Sequence, residues 1–257
     1  MSTGFYAYAI TRGLGPEDLA GRTGIGDAPL RLVRHEDLAA VVSEVDLDEF
    51  GEEGLRRNLE DLAWLENVAT AHDRVTREVS ERAPAAPLRL ATVFLGEDSV
   101  RARLAEWHAR AEQALDRIEG REEWSVKAYA DPSARPAAED DPGGEDTGMG
   151  AGKAYLLKRR AATQRREAAT QQDAEIAEQL HAELQGSAVA GRRLAPQDRR
   201  LTGHVGEMIL NGTYLVDRGQ VETFKSAVDR LAGLHEHIRV ELAGPWPPYS
   251  FASLEGQ

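Results

Sequence analysis

Hydrophobic and polar positions alternate with two different periods along the chain, and each change of period marks a predicted element. Aromatic and aliphatic residues at 5–10 predict a strand. Residues 30–33 and 38–45 predict two more strands, joined by a hairpin turn at 35–37. Between 55 and 79 the apolar residues recur at helical spacing, which predicts one long helix.

The middle of the chain continues this alternation of strand and helix. The apolar, β-branched segment 88–95 predicts a buried central strand. Asp98 and Ser99 offer an N-cap for a helix that ends at Gly120, and a further strand is expected at 124–129. The apolar positions of that helix are Val100, Leu104, Trp107, Ala111, Leu115 and Ile118.

Residues 131–152 interrupt the pattern. They contain three prolines, five glycines, six acids and a single base, so we expect a flexible loop or linker that buries little apolar surface. The helical period resumes from 153 to about 185. The elements predicted after it are strands at 192–194 and 207–216, a helix at 221–234 and a strand at 238–242.

The order of these elements predicts an α+β fold in two domains, and a length of 257 residues also favours two domains. The order from residue 124 onward is βαββαβ, which is typical of a ferredoxin-like domain with a four-stranded antiparallel sheet and two helices on one face. We therefore expect an N-terminal α+β domain at 1–122, a ferredoxin-like domain at 123–244 that contains the acidic loop, and a Pro/aromatic tail at 245–257.

Composition narrows the possible functions. The 44 acids and 31 bases give a net charge of −13, which repels nucleic acid and anionic lipid. The absence of cysteine excludes disulfides, thiol nucleophiles, iron–sulfur clusters and zinc sites that contain cysteine. No apolar run approaches 18 residues and the N-terminus lacks the features of a secretory signal, so we predict a cytoplasmic protein without membrane contact.

The motifs that suggest chemistry are incomplete. Residues 148–153 resemble a phosphate-binding loop, but Thr147 replaces the first glycine and Ala154 replaces the Mg²⁺-binding hydroxyl. His235 and His237 lie on one face of an extended chain, yet a zinc site needs at least a third protein ligand. We therefore predict no catalytic residue, no cofactor and no metal site. A hydrolase that uses carboxylates brought together by folding stays an alternative.

One helix is strongly basic at its start. Arg159, Arg160, Arg165 and Arg166 precede a more acidic half, an order that opposes the helix macrodipole and suggests that these arginines face a partner. Three partners are possible, and one of them is the chain's own acidic segment at 131–152. A protein surface fits the lack of interleaved aromatic residues, whereas a nucleic acid is the alternative.

The C-terminal segment Gly-Pro-Trp-Pro-Pro-Tyr-Ser-Phe, at 244–251, is unusually rich in proline and aromatic residues. Its prolines predict a stiff, polyproline-like arm that presents Trp246, Tyr249 and Phe251. These rings either pack on the chain's own domains or bind a partner.

This ending resembles the hallmark of the gas vesicle protein L/F family. Other segments of the chain are similar to the family in the same order, namely 6–10, 87–94, 123–127, 152–156 and 211–216. One departure is Leu90-Ala91, where the family usually has Phe-Gly.

The resemblance implies an accessory or minor structural protein of gas vesicles, associated with the vesicle. It implies contacts with the major shell protein and with other vesicle proteins that help to nucleate or stabilise the shell. A ferredoxin-like, nucleic-acid-binding regulator that uses the arginine-rich helix is the alternative from another class.

Overall fold

The computed structural model describes residues 2–135, 151–197 and 206–254. Its described residues form a mixed α+β fold with two antiparallel sheets, which confirms the predicted fold class. The chain divides into two compact units. The first comprises Met1–Glu123 together with Pro245–Gln257, and the second comprises Trp124–Gly244.

The first unit contains a sheet in the order β2-β3-β1-β4, with β5 also paired to β1. Its strands are β1 (Thr3–Arg12), β2 (Arg31–His35), β3 (Leu38–Asp46), β4 (Ala85–Pro87) and β5 (Val93–Phe94). Its helices are α1 (Leu47–Phe50), α2 (Glu52–Asn58), α3 (Leu62–Ser80) and α4 (Glu97–Ile118).

Strand β1 lies at the centre of this sheet, and from Tyr6 to Thr11 every residue is buried, on both faces. It pairs with β3 from Thr3↔Asp46 to Arg12↔Leu38, with one irregularity between Ala7 and Ala9. The predicted hairpin is confirmed, because β2 pairs with β3 up to His35↔Leu38. The turn between them consists of residues 36 and 37.

Helix α4 packs against this sheet with the face that its sequence predicts. All six predicted apolar positions, from Val100 to Ile118, are buried. Gly120 follows with φ of +71°, a conformation in which glycine carries no Cβ penalty. The periodicity of α4 therefore determined its buried face.

The single long helix predicted at 55–79 is wrong, because α2 and α3 are separated at 59–61. The side chain of Asp61 accepts hydrogen bonds from the backbone N–H groups of Ala63 and Trp64 at 2.9 and 3.2 Å. This N-cap satisfies two donors at the start of α3 and begins a new helix there. Leu62, at the first position of α3, is 79% exposed.

The central strand predicted at 88–95 is also wrong. Only Val93–Phe94 is a strand there, and Leu95 is exposed. Ala91 has φ of +62°, and its backbone N–H donates to the hydroxyl of Tyr6 at 3.0 Å. A residue in the left-handed region cannot continue a strand, so the chain turns instead.

We expect Ala91→Gly to stabilise the first unit by about 1 kcal/mol, because a left-handed conformation strains alanine by about that amount and glycine by none. Urea unfolding at constant pH measures the change. A Gly96→Ala variant, at a helix N-cap with extended backbone, is the comparison. Equal or lower stability of Ala91→Gly would contradict this account of the turn.

The second unit contains a sheet in the order β7-β8-β6-β9. Its elements are β6 (Arg121–Ala130), α5 (Ala151–Gly186), β7 (Ala190–Arg193), β8 (Glu207–Asp217), α6 (Val221–Ala232) and β9 (Ile238–Trp246), with the outer ends of β6 and β9 belonging to the first unit. The core between sheet and helices includes Leu180 and Leu184 of α5 and Phe224 and Val228 of α6.

Most of the segment predicted as a flexible loop, 136–150, lies outside the described residues. Its first residues form a short 3₁₀ turn at Pro132–Ala134, which Asp131 caps by accepting a hydrogen bond from the N–H of Ser133 at 2.8 Å. Its last residues belong to α5.

The tail differs from the predicted polyproline arm. Strand β9 continues through Pro245 to Trp246, which its position at the edge of the sheet allows. The chain then turns tightly, since the N–H groups of Phe251 and Ala252 both donate to the carbonyl of Pro248, at 3.1 and 3.0 Å. The Pro-Pro pair therefore begins a turn instead of an extended arm.

Candidate functional site

In the first half of α5, the side chains described between residues 155 and 166 are exposed over about three helical turns, with Ala161 partly buried. Arg159, Arg160, Arg165 and Arg166 are all exposed, as the sequence analysis requires of a partner surface. Three large apolar residues precede them, and Tyr155, Leu156 and Leu157 are 64%, 64% and 47% exposed. We call residues 155–166 the exposed half of α5. The charge pattern predicts its arginines as partner residues, whereas its apolar residues were not predicted, although Tyr155-Leu156-Leu157 stands just before them in the sequence.

Helix α5 joins the core at Asp173. The Asp173 carboxylate forms an ion pair with Arg135, and its Oδ1 lies 3.3 Å from Nε2 of His237. The guanidinium of Arg135 also donates to the carbonyl of Ala169 at 3.1 Å. From Ile176 onward the buried residues of α5 contact the sheet and α6. The exposed half of α5 is therefore anchored at its C-terminal end, where the contacts of Asp173 precede the buried residues of the helix.

The tail rings lie against α3 within the first unit. The guanidinium of Arg77 lies 5.3 Å from the ring centroid of Trp246, within the range of a cation–π contact. Tyr249 stacks at a tilt on His72, with 6.4 Å between ring centroids. Burial raises the pKa of the Tyr249 hydroxyl. Trp246 and Tyr249 nevertheless keep 39% of their surface exposed.

The buried carboxylate of Glu123 binds the tail at Ser250. The backbone N–H and the hydroxyl of Ser250 both donate to Glu123, at 2.9 and 2.6 Å. Phe251, Ala252 and Leu254 are buried beyond this contact. Of the two alternatives for the tail, the structure thus has the arm packed on the chain itself. A further role of Trp246, Tyr249 and Phe251 in partner binding stays a prediction, and Phe251 is only 6% exposed.

Polar side chains are buried beneath the tail in the core of the first unit. The hydroxyl of Tyr6 lies 3.0 Å from Nδ1 of His72, and the hydroxyl of Tyr8 lies 2.7 Å from Oγ of Ser43. Burial lowers the pKa of His72 to about 4, so its imidazole is neutral at pH 7. Burial also raises the pKa of Tyr6 and of Tyr8. The network joins β1 to β3 and α3 and holds no exposed nucleophile.

A shallow groove of about 540 Å³ follows the outer face of α3. Its lining residues are Ala69, Thr70, Asp73, Arg74, Arg77 and Glu78. Arg77 pairs with Asp73 at 3.1 Å, and Arg74 pairs with Glu78 at 3.6 Å. The charged side chains that line the groove are therefore already paired with one another along α3.

Histidines lie in a cluster of three possible metal ligands in only one of two places among the described residues. His235 and His237 lie with their ring centroids 6.2 Å apart, but they belong to no cluster of three potential metal ligands among the described residues. Glu36, Asp37 and His108 do form such a cluster, which the sequence analysis missed because 71 residues separate Asp37 from His108. The hydrogen bond from His108 lowers the pKa of Asp37, and the same bond raises the pKa of His108.

Two crystal structures share this architecture. GvpF from Anabaena sp. PCC7120 superposes with a TM-score of 0.71 at 19% identity, over 99% of this chain and 98% of that one. GvpF from Microcystis aeruginosa superposes with a TM-score of 0.64 at 18% identity, over 97% and 99% of the two chains. The fold is therefore that of the gas vesicle GvpF structures.

The sequence comparisons extend this likeness to the family. The family model for gas vesicle synthesis protein GvpL/GvpF matches residues 4–253. Gas vesicle protein L of Streptomyces sp. (strain CB03234) is 43% identical, covering 97% of this chain and 92% of its own length. Gas vesicle protein F of the same strain is 30% identical, covering 98% and 99%. This chain belongs to the GvpL/GvpF family, as its motifs indicated.

No helix in the described part of the chain has both the length and the apolar character needed to span a membrane.

Proposed function

We propose that this chain is a non-catalytic assembly protein or minor structural protein of the gas vesicle. It contacts the major shell protein and other vesicle proteins, and it helps to nucleate or stabilise the shell. Membership of the GvpL/GvpF family supports a role connected with gas vesicles. The greater identity with gas vesicle protein L than with gas vesicle protein F supports an L-type role.

The observation that carries the proposal is the exposed half of α5. Tyr155, Arg159 and Arg166 follow one another at helical spacing on one face, and Leu156 and Arg160 form the neighbouring stripe. Apolar area gains about 25 cal/mol for each Å² removed from water, so exposed rings and leucines favour a covered state. Guanidinium groups beside them bind carboxylates in a planar, bidentate geometry. This surface suits a protein partner that offers both apolar and acidic side chains.

The tail supplies a second, smaller surface in this proposal. Trp246 and Tyr249 are each about two-fifths exposed, and Arg77 lies beside Trp246. Because Glu123 and the buried Phe251 fix the tail, these rings are already ordered before a partner binds. Preordered aromatic side chains bind with a small loss of conformational entropy.

The proposal includes a ferredoxin-like fold for the second unit. Numbered within that unit, the sheet order β7-β8-β6-β9 corresponds to the second, third, first and fourth strands. A ferredoxin-like sheet has this strand order, because each of its two βαβ units has a strand of the other unit between its own two strands. The positions of α5 after the first strand and α6 after the third also agree with this fold. We keep the predicted domains at 1–122 and 123–244, with the tail at 245–257, as part of the same proposal, and we place the protein in the cytoplasm at the vesicle.

A charge reversal tests the partner surface. We expect the variant Arg159→Glu, Arg160→Glu, Arg165→Glu and Arg166→Glu to fold normally, because exposed charges contribute little to stability. Its co-purification with the major shell protein and other vesicle proteins is expected to fall at least tenfold. The measurement is quantitative pull-down from cells that produce gas vesicles, with circular dichroism to check the fold.

The matched control reverses four exposed arginines on other helices. Arg56, Arg57, Arg101 and Arg110 lie on α2 and α4 of the first unit, and their reversal changes the net charge equally. This control is expected to retain vesicle proteins at the level of the parent chain. Equal retention by the α5 variant and the parent would refute the proposed surface.

Nucleic-acid binding is the competing function for the same arginines. A protein surface is favoured because the net charge is −13 and exposed apolar residues adjoin the arginines. Filter binding of duplex DNA and of RNA at two salt concentrations distinguishes the two functions. Tight binding that weakens steeply with salt would support the nucleic-acid alternative.

A further inference from the structure

A histidine and two carboxylates meet at one end of the first unit. His108 lies on α4, and Glu36 and Asp37 form the turn between β2 and β3. Nε2 of His108 lies 2.9 Å from Oδ1 of Asp37 and 3.1 Å from Oε2 of Glu36. One ligand atom from each of the three residues lies within 4.8 Å of the others.

The fold places these residues firmly. Glu36 has φ of +53°, a left-handed conformation that reverses the chain within two residues and keeps both turn carboxylates beside α4. Helix α4 packs on β2, and the neighbours of His108 on its buried face, Leu104 and Ala111, are each at most 1% exposed. The three side chains therefore project from elements anchored in the core.

A further carboxylate orients the imidazole. Oε2 of Glu112, one turn along α4, lies 3.4 Å from Nδ1 of His108. Metal-binding histidines commonly use their second nitrogen in this way, because a carboxylate there fixes the ring and makes the other nitrogen a better ligand. Nε2 of His108 is then directed at Glu36 and Asp37, where the two carboxylates already lie.

The spacing of the three atoms suits a small divalent cation. In a tetrahedral zinc site with bonds of about 2 Å, the ligand atoms lie about 3.3 Å from one another. The two distances from Nε2, 2.9 and 3.1 Å, are hydrogen-bond lengths slightly shorter than that spacing, so a cation would take the place of the proton between Nε2 and the carboxylates. His35 lies nearby, with its ring centroid 6.3 Å from that of His108, and it adds a second imidazole at the rim. Imidazole combined with carboxylates is a ligand set for zinc and related first-row cations.

We propose that Glu36, Asp37 and His108 bind a divalent transition-metal cation of the zinc type, with Glu112 as the residue that positions His108. The site joins the β2–β3 turn to α4 and completes its coordination with water. Its role is structural, because the cation would link two elements of the first unit at its surface.

Zinc binding by the untagged chain tests the proposal. Isothermal titration with Zn²⁺ is expected to give one site per chain, and His108→Ala and Asp37→Asn are each expected to weaken it at least tenfold. Glu112→Gln is expected to weaken it less, because it removes only the orienting charge. Zn²⁺ is also expected to raise the melting temperature of the parent chain, since a ligand that binds the folded state stabilises it.

The control is His235→Ala, which removes an imidazole from the second unit and is expected to leave zinc affinity unchanged. Substitution with Co²⁺ gives an independent readout, because tetrahedral coordination produces intense visible absorption, expected for the parent and lost in His108→Ala. If His108→Ala folds poorly, Asp37→Asn, in an exposed turn, decides the question. Absence of zinc binding, or equal affinity in the parent and Asp37→Asn, would overturn the proposal.

Discussion

Replacing Phe251 by alanine is expected to lower the free energy of unfolding of the first unit by about 3 to 5 kcal/mol, the usual loss for a buried phenylalanine. The residue is near the C-terminus, yet it is 6% exposed and follows a serine that binds the buried Glu123. The loss combines the transfer of the ring to water with the cavity left behind. Urea unfolding followed by tryptophan fluorescence measures it, because Trp64 and Trp107 belong to the same unit.

Trp246→Ala is the control for this prediction. Its ring is 39% exposed and makes a cation–π contact with Arg77, so the expected loss is only about 1 kcal/mol. A loss for Phe251→Ala as small as that for Trp246→Ala would show that the tail is not part of the core of the unit. That result would favour the alternative in which the rings of the tail bind a partner.

Acidification from pH 6.5 to pH 5 is expected to remove about 2 kcal/mol of stability through His72 alone. Its pKa is about 4 in the folded unit, below the ordinary value of 6.5. Between these two values the unfolded chain takes up a proton that the folded chain excludes, so stability falls as the pH falls. Each pH unit within this window contributes about 1.4 kcal/mol.

The measurement is urea unfolding at several pH values for the parent chain and for His72→Gln. We expect the difference in stability between the two chains to shrink as the pH falls towards 5, because glutamine does not titrate. The raised pKa of His108 acts in the opposite direction, since its contribution is present at low pH and is lost as the pH rises through its folded value. That contribution is common to both chains and cancels. A constant difference across the window would contradict a neutral, buried His72.

The sequence predicted those parts of the fold that depend on local periodicity. The buried face of α4 and the β2–β3 hairpin follow from spacing and turn residues alone. Two predictions were wrong where a single polar contact redirects the backbone. Asp61 caps a new helix, and the hydroxyl of Tyr6 binds the N–H of Ala91 from 85 residues away.

The sequence predicts some of the candidate sites and not others, depending on whether their residues are neighbours in the sequence. The arginines of α5 and the rings of the tail stand together in the sequence, so composition alone identifies them. Glu36, Asp37 and His108 come together only because α4 packs on β2, and no spacing in the sequence indicates that contact. Ala91, where the resemblance implies a glycine, has a positive φ, a conformation that glycine adopts without strain.

The route of the chain through the two units has a consequence for its synthesis. The first unit begins at the N-terminus, is interrupted at Trp124 and is completed only by Pro245 and the residues after it. A nascent chain emerges from the ribosome in that same order, and domains fold as they emerge. The core of the first unit therefore lacks Phe251, Ala252 and Leu254 until the whole inserted unit has been translated. Completion of the first unit is thereby tied to translation of the last segment, so a prematurely terminated chain carries an exposed apolar site that chaperones and proteases can recognise.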